Sequence, residues 1–433
     1  MKIAIAGYGL EGEENYKYWA GMGEHDITIV DENETPSHAL PEGVATMLGE
    51  GVFERLQGFD MVIRTAGLAP YKIKTDGKIW SATNEFFEKC PAKIIGVTGT
   101  KGKGTTASLI AAIFEAAGKK VWLVGNIGTS AIQALDSIGS EDIVVFELSS
   151  FQLWDIERSP HTAVVLLIER DHLNVHVDMD DYVNAKGHIR LYQQDGDICI
   201  YHPTNHYSHQ IATSSEAGSI LRYGIPDDGG VYERDGQFFQ KGEVICSLDV
   251  LQLIGQHNVE NACAAITVAR AYDLTIDAIE QGLRNFKGLP HRLELVRKYN
   301  GVDYYNDSFS SAPPATVAAV KSFEQPEILI VGGIEKGGDF SILIDTLKAQ
   351  TNIKEVLLIG QTRQSLLAQM QAAGVPTKIT VLDAQTMPEI VGYATQAAVS
   401  GDVVVLSPGS ASFDMFKDFY DRGDQFRNVV NSL

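Results

Sequence analysis

Cysteine is scarce: the 433 residues hold four, Cys90, Cys199, Cys246 and Cys263, and no two form a CxxC pair. That argues against a disulfide framework or a zinc knuckle and fits a reducing compartment. Long apolar runs are missing too. Stretches such as residues 163–168 fall far short of the roughly 20 residues that cross a bilayer. Cations are in deficit, with 35 Lys+Arg against 56 Asp+Glu and a formal net charge of −21. Such a balance opposes nucleic-acid and anionic-membrane partners, although one local loop can still hold a phosphate. There is no short-period repeat, low-complexity tract or HExxH. The opening MKIAIAGYGL runs straight into a strand–glycine pattern, so no signal peptide is read in it and the cytoplasm is the expected location. At 44% hydrophobic and 21% charged residues, the chain is expected to fold as an ordinary globular protein.

Strand–turn–helix grammar dominates and predicts α/β structure built on parallel sheets. Residues 2–6 read as a strand, 7–12 as a glycine loop, 15–21 as a helix, and 26–31 and 60–64 as further strands. Cys90-Pro91 breaks this pattern. A second unit opens with a strand at 94–97, a glycine loop at 99–104 and a helix at 105–117, followed by strands at 120–124, 143–146 and 163–168. Glycine-punctuated short β runs over about 220–250 predict an antiparallel meander, and 257–272 a helix. After a hinge at Lys287-Gly288-Leu289-Pro290, strands are expected at 302–306, 328–331, 356–359 and 403–406. Three domains follow, at 1–91, 92–287 and 288–433: Rossmann-like, P-loop ATPase-like with the meander, and Rossmann-like.

The sharpest local signal is Gly99-Thr100-Lys101-Gly102-Lys103-Gly104-Thr105-Thr106 between a strand and a helix. Glycines let backbone N–H groups turn toward phosphate oxygens, the helix N-terminus adds positive potential, and Lys103 neutralises the outer phosphates. A plain βα turn needs neither the lysine nor so many glycines. Gly104 stands where a P-loop carries Ser or Thr, which leaves Thr105 or Thr106 to offer the metal a hydroxyl. Lys101 adds a second cation. Glu147, just past a buried strand, is placed as a metal ligand, and His172 and Asp171 as a ligand and its orienting carboxylate. His172 and His176 have the spacing of a zinc pair, but without HExxH zinc is rejected. His202, His206 and His209 read as a solvated loop, and Lys186, taken alone, as a surface lysine. Gly7-Tyr8-Gly9-Leu10-Glu11-Gly12, with Asp31 beyond, matches a dinucleotide fingerprint. Glu11, Glu13 and Glu14, however, crowd the helix start and would repel a pyrophosphate.

In order along the chain stand GTKGKGTT, GNIG (125–128), ELSSFQL (147–153), DHLN (171–174), NAK (184–186) and GQHNVENA (255–262). GLPHRLE (288–294), NDS (306–308), GG-xx-KGGDF (332–340) and LSPGSASFDMFKDFYDRG (406–423) complete the series. Together they resemble the Mur ligase family over nearly the whole chain. The resemblance implies an ATP- and Mg2+-dependent amide ligase. In that family a carboxylate takes the γ-phosphate of ATP, and the acyl phosphate is attacked by an amine. The implied substrates are UDP-N-acetylmuramoyl-L-alanine and D-glutamate, and the implied protein is a cytoplasmic monomer of peptidoglycan precursor synthesis.

By the same resemblance, Gly99 to Thr106, with Asn258, Asn261, Arg292 and Asp307, would bind ATP. Lys103, Glu147, His172 and Lys186 would be catalytic. Thr105, Glu147, His172 and a carbamylated Lys186 would hold metal. Gly9, Leu10, Glu11, Gly12, Asp31, Thr65, Gly67 and Asn126 would bind the UDP-sugar, and Ser311, Lys336, Ser412 and Phe419 the amino acid. The spread of nucleotide contacts over two domains implies that closure completes the site. Phe309 departs from the lysine that often follows NDS, Asn174 from an aspartate, and Ser311 from a threonine. The alternatives are another ligase of the superfamily, such as a folylpolyglutamate synthetase, an NAD-dependent oxidoreductase, and a nucleotide-gated binding protein without turnover. The oxidoreductase leaves the second phosphate loop, Glu147 and the third domain unexplained.

Overall fold

A computed structural model describes residues 1–23, 25–226, 229–334, 339–384 and 386–433. The chain divides into two compact units: residues 1–251 with 260–286, and residues 252–259 with 287–433.

The first unit carries three sheets. β1 (Lys2–Ala6), β2 (Asp26–Asp31), β3 (Ala45–Leu48), β4 (Met61–Arg64) and β5 (Lys78–Ser81) form a parallel sheet in the order β3-β2-β1-β4-β5. The connection reverses direction between β1 and β4, where such sheets open a crevice. The helix Leu10–Gly21 leaves β1 after Gly9, earlier than the expected residue 15. Glu11 and Glu13 in its first turn favour that start, because they complement the helix dipole. Gly12 has to be glycine for packing: a Cβ there would strike the Gly7 carbonyl oxygen.

β6 (Lys93–Thr98), β7 (Val121–Gly125), β8 (Ile143–Glu147), β9 (Thr162–Val165), β10 (Ile198–Tyr201) and β11 (Ser219–Arg222) make a second parallel sheet, ordered β11-β10-β9-β6-β8-β7. Its central strands are almost wholly apolar, as expected of strands covered on both faces. β12 (Val231–Arg234), β13 (Gln237–Gln240) and β14 (Glu243–Ser247) form the antiparallel meander.

One buried arginine fastens the first sheet to the second. Arg64, fully buried, ion-pairs with Asp155 and donates to the Phe151 carbonyl at 2.9 Å. It also donates to the carbonyls of Thr65, Ala66 and Leu68 at 3.2–3.3 Å. Removing one partner of a buried pair strands the other groups. Arg64→Met is therefore expected to lower unfolding stability by about 3 kcal/mol in urea titrations. A loss below about 1 kcal/mol would show the pair to be dispensable.

The second unit has one mixed sheet, ordered β15-β16-β20-β17-β18-β19. Its strands are β15 (Glu294–Tyr299), β16 (Val302–Asn306), β17 (Glu327–Gly332), β18 (Ile353–Ile359), β19 (Lys378–Val381) and β20 (Val403–Leu406). β15 pairs antiparallel with β16, and the other pairings are parallel. β15 escapes a sequence reading because its charged and apolar residues are all partly exposed at an edge.

Candidate active site

The glycine loop emerges from β6, the strand with β8 on one side and β9 on the other. The helix Lys103–Ala116 starts immediately after Gly102, two residues earlier than expected. Gly102 is left-handed (φ 84°), and a Cβ there would strike the Asn261 side-chain oxygen. The Lys103 ammonium lies over the loop and donates to the carbonyls of Gly99 (3.1 Å) and Thr100 (3.0 Å). Thr106 is fully buried and donates its hydroxyl to Asn261 at 3.2 Å. Thr105 keeps part of its surface open, which makes it the better placed of the two threonines to meet a ligand. Lys101 points to solvent and sits 3.6 Å from Glu169.

Parallel pairing of Val97 with Glu147 brings the glutamate beside the loop. The junction is closed by Leu148 N–H donating to the Val97 carbonyl (2.9 Å) and by the Thr98 hydroxyl donating to the Leu148 carbonyl (2.9 Å). Lys186 is not the surface lysine that its residue type suggests: it is 1% exposed. From the helix Met179–Leu191 its amine reaches the Gly99 carbonyl (3.0 Å) and the Thr98 hydroxyl (3.3 Å). Burial, reinforced by the nearby Lys103 charge, pulls this amine well below the usual lysine range. Tyr182, one helical turn earlier, lies 4.8 Å from the Lys186 nitrogen at its ring and shares a hydrogen bond with Thr100 (3.0 Å). Tyr182 is the residue that the sequence reading did not name, and its i, i+4 spacing from Lys186 was the available signal.

His172 is half exposed, takes a left-handed backbone (φ 53°), and has its ring 4.9 Å from that of Phe151. Its neighbour Asp171 stands 3.5 Å from the ring nitrogen. His176 is committed elsewhere. Its two ring nitrogens meet Asp181 and Ser150, each at 3.0 Å, and burial keeps it below the usual histidine range. Among the described residues, no three His, Cys, Asp or Glu groups converge on a metal position. The donors beside the loop are a carboxylate and a hydroxyl. That hard and incomplete set suits Mg2+, which normally completes its shell with phosphate oxygens and water.

A cavity of about 570 Å³ opens in the first unit between the Gly7–Gly12 loop and the segment after β7. Leu10, Glu11 and Asn126 line it, as do Gln152 and Phe146 from around β8. Asp31 is instead engaged with the glycine loop, accepting from Tyr8 N–H (2.6 Å) and Asn33 N–H (2.8 Å). Thr65 donates to the Ala6 carbonyl (3.3 Å), and Gly67 lies exposed in the β4 loop.

The second unit holds the remaining candidates. Asn258 donates to the Ile254 carbonyl at 2.7 Å. The Arg292 guanidinium lies 3.7 Å from the centre of the Phe309 ring, and Phe309 meets Phe419 edge-on at 5.1 Å. The aromatic ring that replaces lysine at 309 thus holds a neighbouring arginine. Ser412 is buried and Ser311 exposed, while Lys336 lies outside the described residues.

Asp307 accepts from Ser407 (2.7 Å) and Leu293 N–H (3.1 Å), and burial pushes its carboxyl up to about 6. An acid whose native value exceeds its unfolded value binds more protons when folded. Stability should therefore fall as pH rises from about 4 to 6, by roughly 3 kcal/mol at most. Asp307→Asn should flatten that part of the urea-stability profile. An unchanged profile would place the titration on another group.

The fold and the loop define a P-loop nucleotide-binding protein of α/β class. Residues 97–269 match the Mur ligase middle domain, and residues 291–409 match the domain described as "Mur ligase, glutamate ligase domain". A UDP-N-acetylmuramoylalanine--D-glutamate ligase of Clostridium kluyveri is 35% identical over 100% of this chain and 97% of its own. One of the same name from Acetivibrio thermocellus is 37% identical, covering 100% and 96%. The chain belongs to the Mur ligase family. Solved structures agree in fold. MurF from Acinetobacter baumannii covers 99% of this chain and 93% of its own, at 16% identity with a TM-score of 0.63. MurF from Thermotoga maritima in complex with ADP covers 99% and 95%, at 16% identity with a TM-score of 0.61.

Proposed function

We propose that this protein is the ligase that joins D-glutamate to UDP-N-acetylmuramoyl-L-alanine at the expense of ATP. The observation that carries the reading is local: a glycine loop bearing Lys103, with the Glu147 carboxylate on the next strand and the buried Lys186 amine against the loop carbonyl. End-to-end likeness to D-glutamate ligases supports the substrate assignment. Residues 1–91 would take the UDP-sugar, 92–287 the ATP and 288–433 the amino acid. The protein would act in the cytoplasm as a monomer.

The carboxylate of the UDP-sugar peptide attacks the γ-phosphorus of ATP, and ADP leaves. The glutamate amine then attacks the acyl phosphate, loses a proton, and expels inorganic phosphate as the amide forms. Lys103 and the N–H groups of the loop hold the phosphates in line and offset charge that builds in both steps. Glu147, Thr105 and His172 would hold Mg2+, which when bound adds further positive charge at the transferring phosphate. Lys186 would contribute as a carbamate: its buried amine, in the neutral form that burial favours, adds CO2, forming an N–C bond and releasing a proton. Gly9, Gly12 and Asp31 would shape the UDP subsite around Leu10, Glu11 and Asn126, with Thr65 and Gly67 on the adjoining loop. Asn258, Asn261, Arg292 and Asp307 would contact the nucleotide. Ser311, Lys336, Ser412 and Phe419 would form the amino-acid pocket, with the lysine and hydroxyls on its carboxylates.

The test is phosphate release with ATP, Mg2+ and UDP-N-acetylmuramoyl-L-alanine across a panel of amino acids. Release confined to D-glutamate is the expected result. Release with a different amino acid would move the substrate assignment, and no release with any of them would overturn the proposal.

A further inference from the structure

The cavity in the first unit presents two carboxylates, Glu11 and Glu14, and no Lys, Arg or His among its lining residues. Both carboxylates are already engaged. Glu11 accepts from the backbone N–H of Ala66 at 2.8 Å. Glu14 accepts from the Ser130 hydroxyl at 2.7 Å and the Gln133 side-chain amide at 2.9 Å. Ala66, Ser130 and Gln133 line the same cavity. The three donors that an anionic ligand would seek are therefore held by the protein's own carboxyl groups.

We infer that Glu11 and Glu14 are internal stand-ins for the diphosphate of the nucleotide-sugar, and that they set its affinity by having to be displaced when it binds. This rests on the proposed reading of the cavity as the UDP-sugar site. Backbone and hydroxyl donors discriminate weakly between one anion and another, and Arg64, the cation whose charge reaches Glu11, is already paired with Asp155. A ligand must offer such donors more than a glutamate carboxylate does, and a diphosphate does so with several charged oxygens. Glutamate side chains have three rotatable bonds, so both groups can swing toward water without moving the helix Leu10–Gly21. Any carboxylate that stays beside the ligand repels it, since like charges a few ångströms apart in a partly dry cavity interact strongly. The glutamate-rich start of this helix, contrary to phosphate binding on its face, thereby becomes a device that keeps the site closed to weaker anions.

The experiment is calorimetric titration of UDP-N-acetylmuramoyl-L-alanine into the full chain and into Glu14→Gln, Glu11→Gln and Asn126→Ala. Glutamine keeps an oxygen that can accept from the same donors, so the local packing has a replacement; thermal melting checks the fold. Each glutamine variant should bind the nucleotide about five- to tenfold more tightly, and uridine diphosphate alone should show the same gain. Glu14→Asp keeps the charge but shortens the reach, and should gain less than Glu14→Gln. Unchanged or weaker binding by both glutamine variants, with Asn126→Ala weakened, overturns the stand-in role and leaves the cavity reading intact. If Asn126→Ala and both glutamine variants all bind as the unmodified chain does, the cavity is not the nucleotide-sugar site and the stand-in role falls with it.

Discussion

Lys103→Ala should abolish ligation to within a residual about 10²–10³-fold or more below the unmodified enzyme, with the fold retained. The Lys103 ammonium stands over the loop carbonyls of Gly99 and Thr100, where the phosphates of a nucleotide would bring negative charge. It is the first residue of the helix Lys103–Ala116, and its side chain is only half buried. Alanine is itself a strong helix former, so melting should shift little. The loss should appear in kcat and in kcat/KM for ATP together, because the charge matters most as phosphate transfer proceeds. Phosphate release and amide formation, measured separately, should fall in parallel. A variant that keeps near-normal turnover would remove Lys103 from the reaction.

Lys186→Ala should be equally damaging for a different reason. The amine sits in a nearly closed space between Thr98, Gly99 and the Tyr182 ring, held well below the usual lysine range by burial and by Lys103. Burial favours the neutral form of the amine, and that form is the nucleophile toward CO2. In the absence of CO2 its two hydrogen bonds to Thr98 and Gly99 are its compensation for burial. Turnover should drop by about 10³-fold, and acetate or propionate should restore a part of it. The unmodified protein in ¹³C-bicarbonate should show a carbamate resonance that Lys186→Met lacks. Full activity in Lys186→Ala would exclude the carbamate. So would a loss that short acids cannot repair, combined with no carbamate resonance.

The two lysines differ in how far sequence reaches them. Lys103 is legible because loop chemistry is local: glycines that free the backbone, a strand before and a helix after are all within ten residues. Lys186 is not, because a lysine on a helix is exposed or buried according to what covers that face. Here the covering is the loop start at Thr98 and Gly99, 88 and 87 residues earlier in the chain. Glu147 falls between the two. Its place at the end of a buried strand is local, while its nearness to the glycine loop comes from β8 pairing with β6. Arg64 carried no signal at all. Only the meeting of the β4 loop with the segment around Phe151 and Asp155 turns it into a buried clamp. Phe309 read simply as the loss of a lysine, and its stacking under Arg292 appears only in three dimensions.

The chain by itself determined the α/β class, the parallel sheets, the glycine loop between strand and helix, and the family, because each is written in short-range periodicity or in contiguous motifs. Tertiary structure decided which of those residues face one another. Strand order brought Glu147 to the loop, and helix packing buried Lys186 and chose Thr105 over Thr106 for exposure. It also turned Glu11 and Glu14 onto donors 55 and 116 or more residues away. The physical reason is range: backbone propensity and turn chemistry act over a few residues. Desolvation, ion pairing and hydrogen-bond competition act between whatever groups the fold brings within a few ångströms.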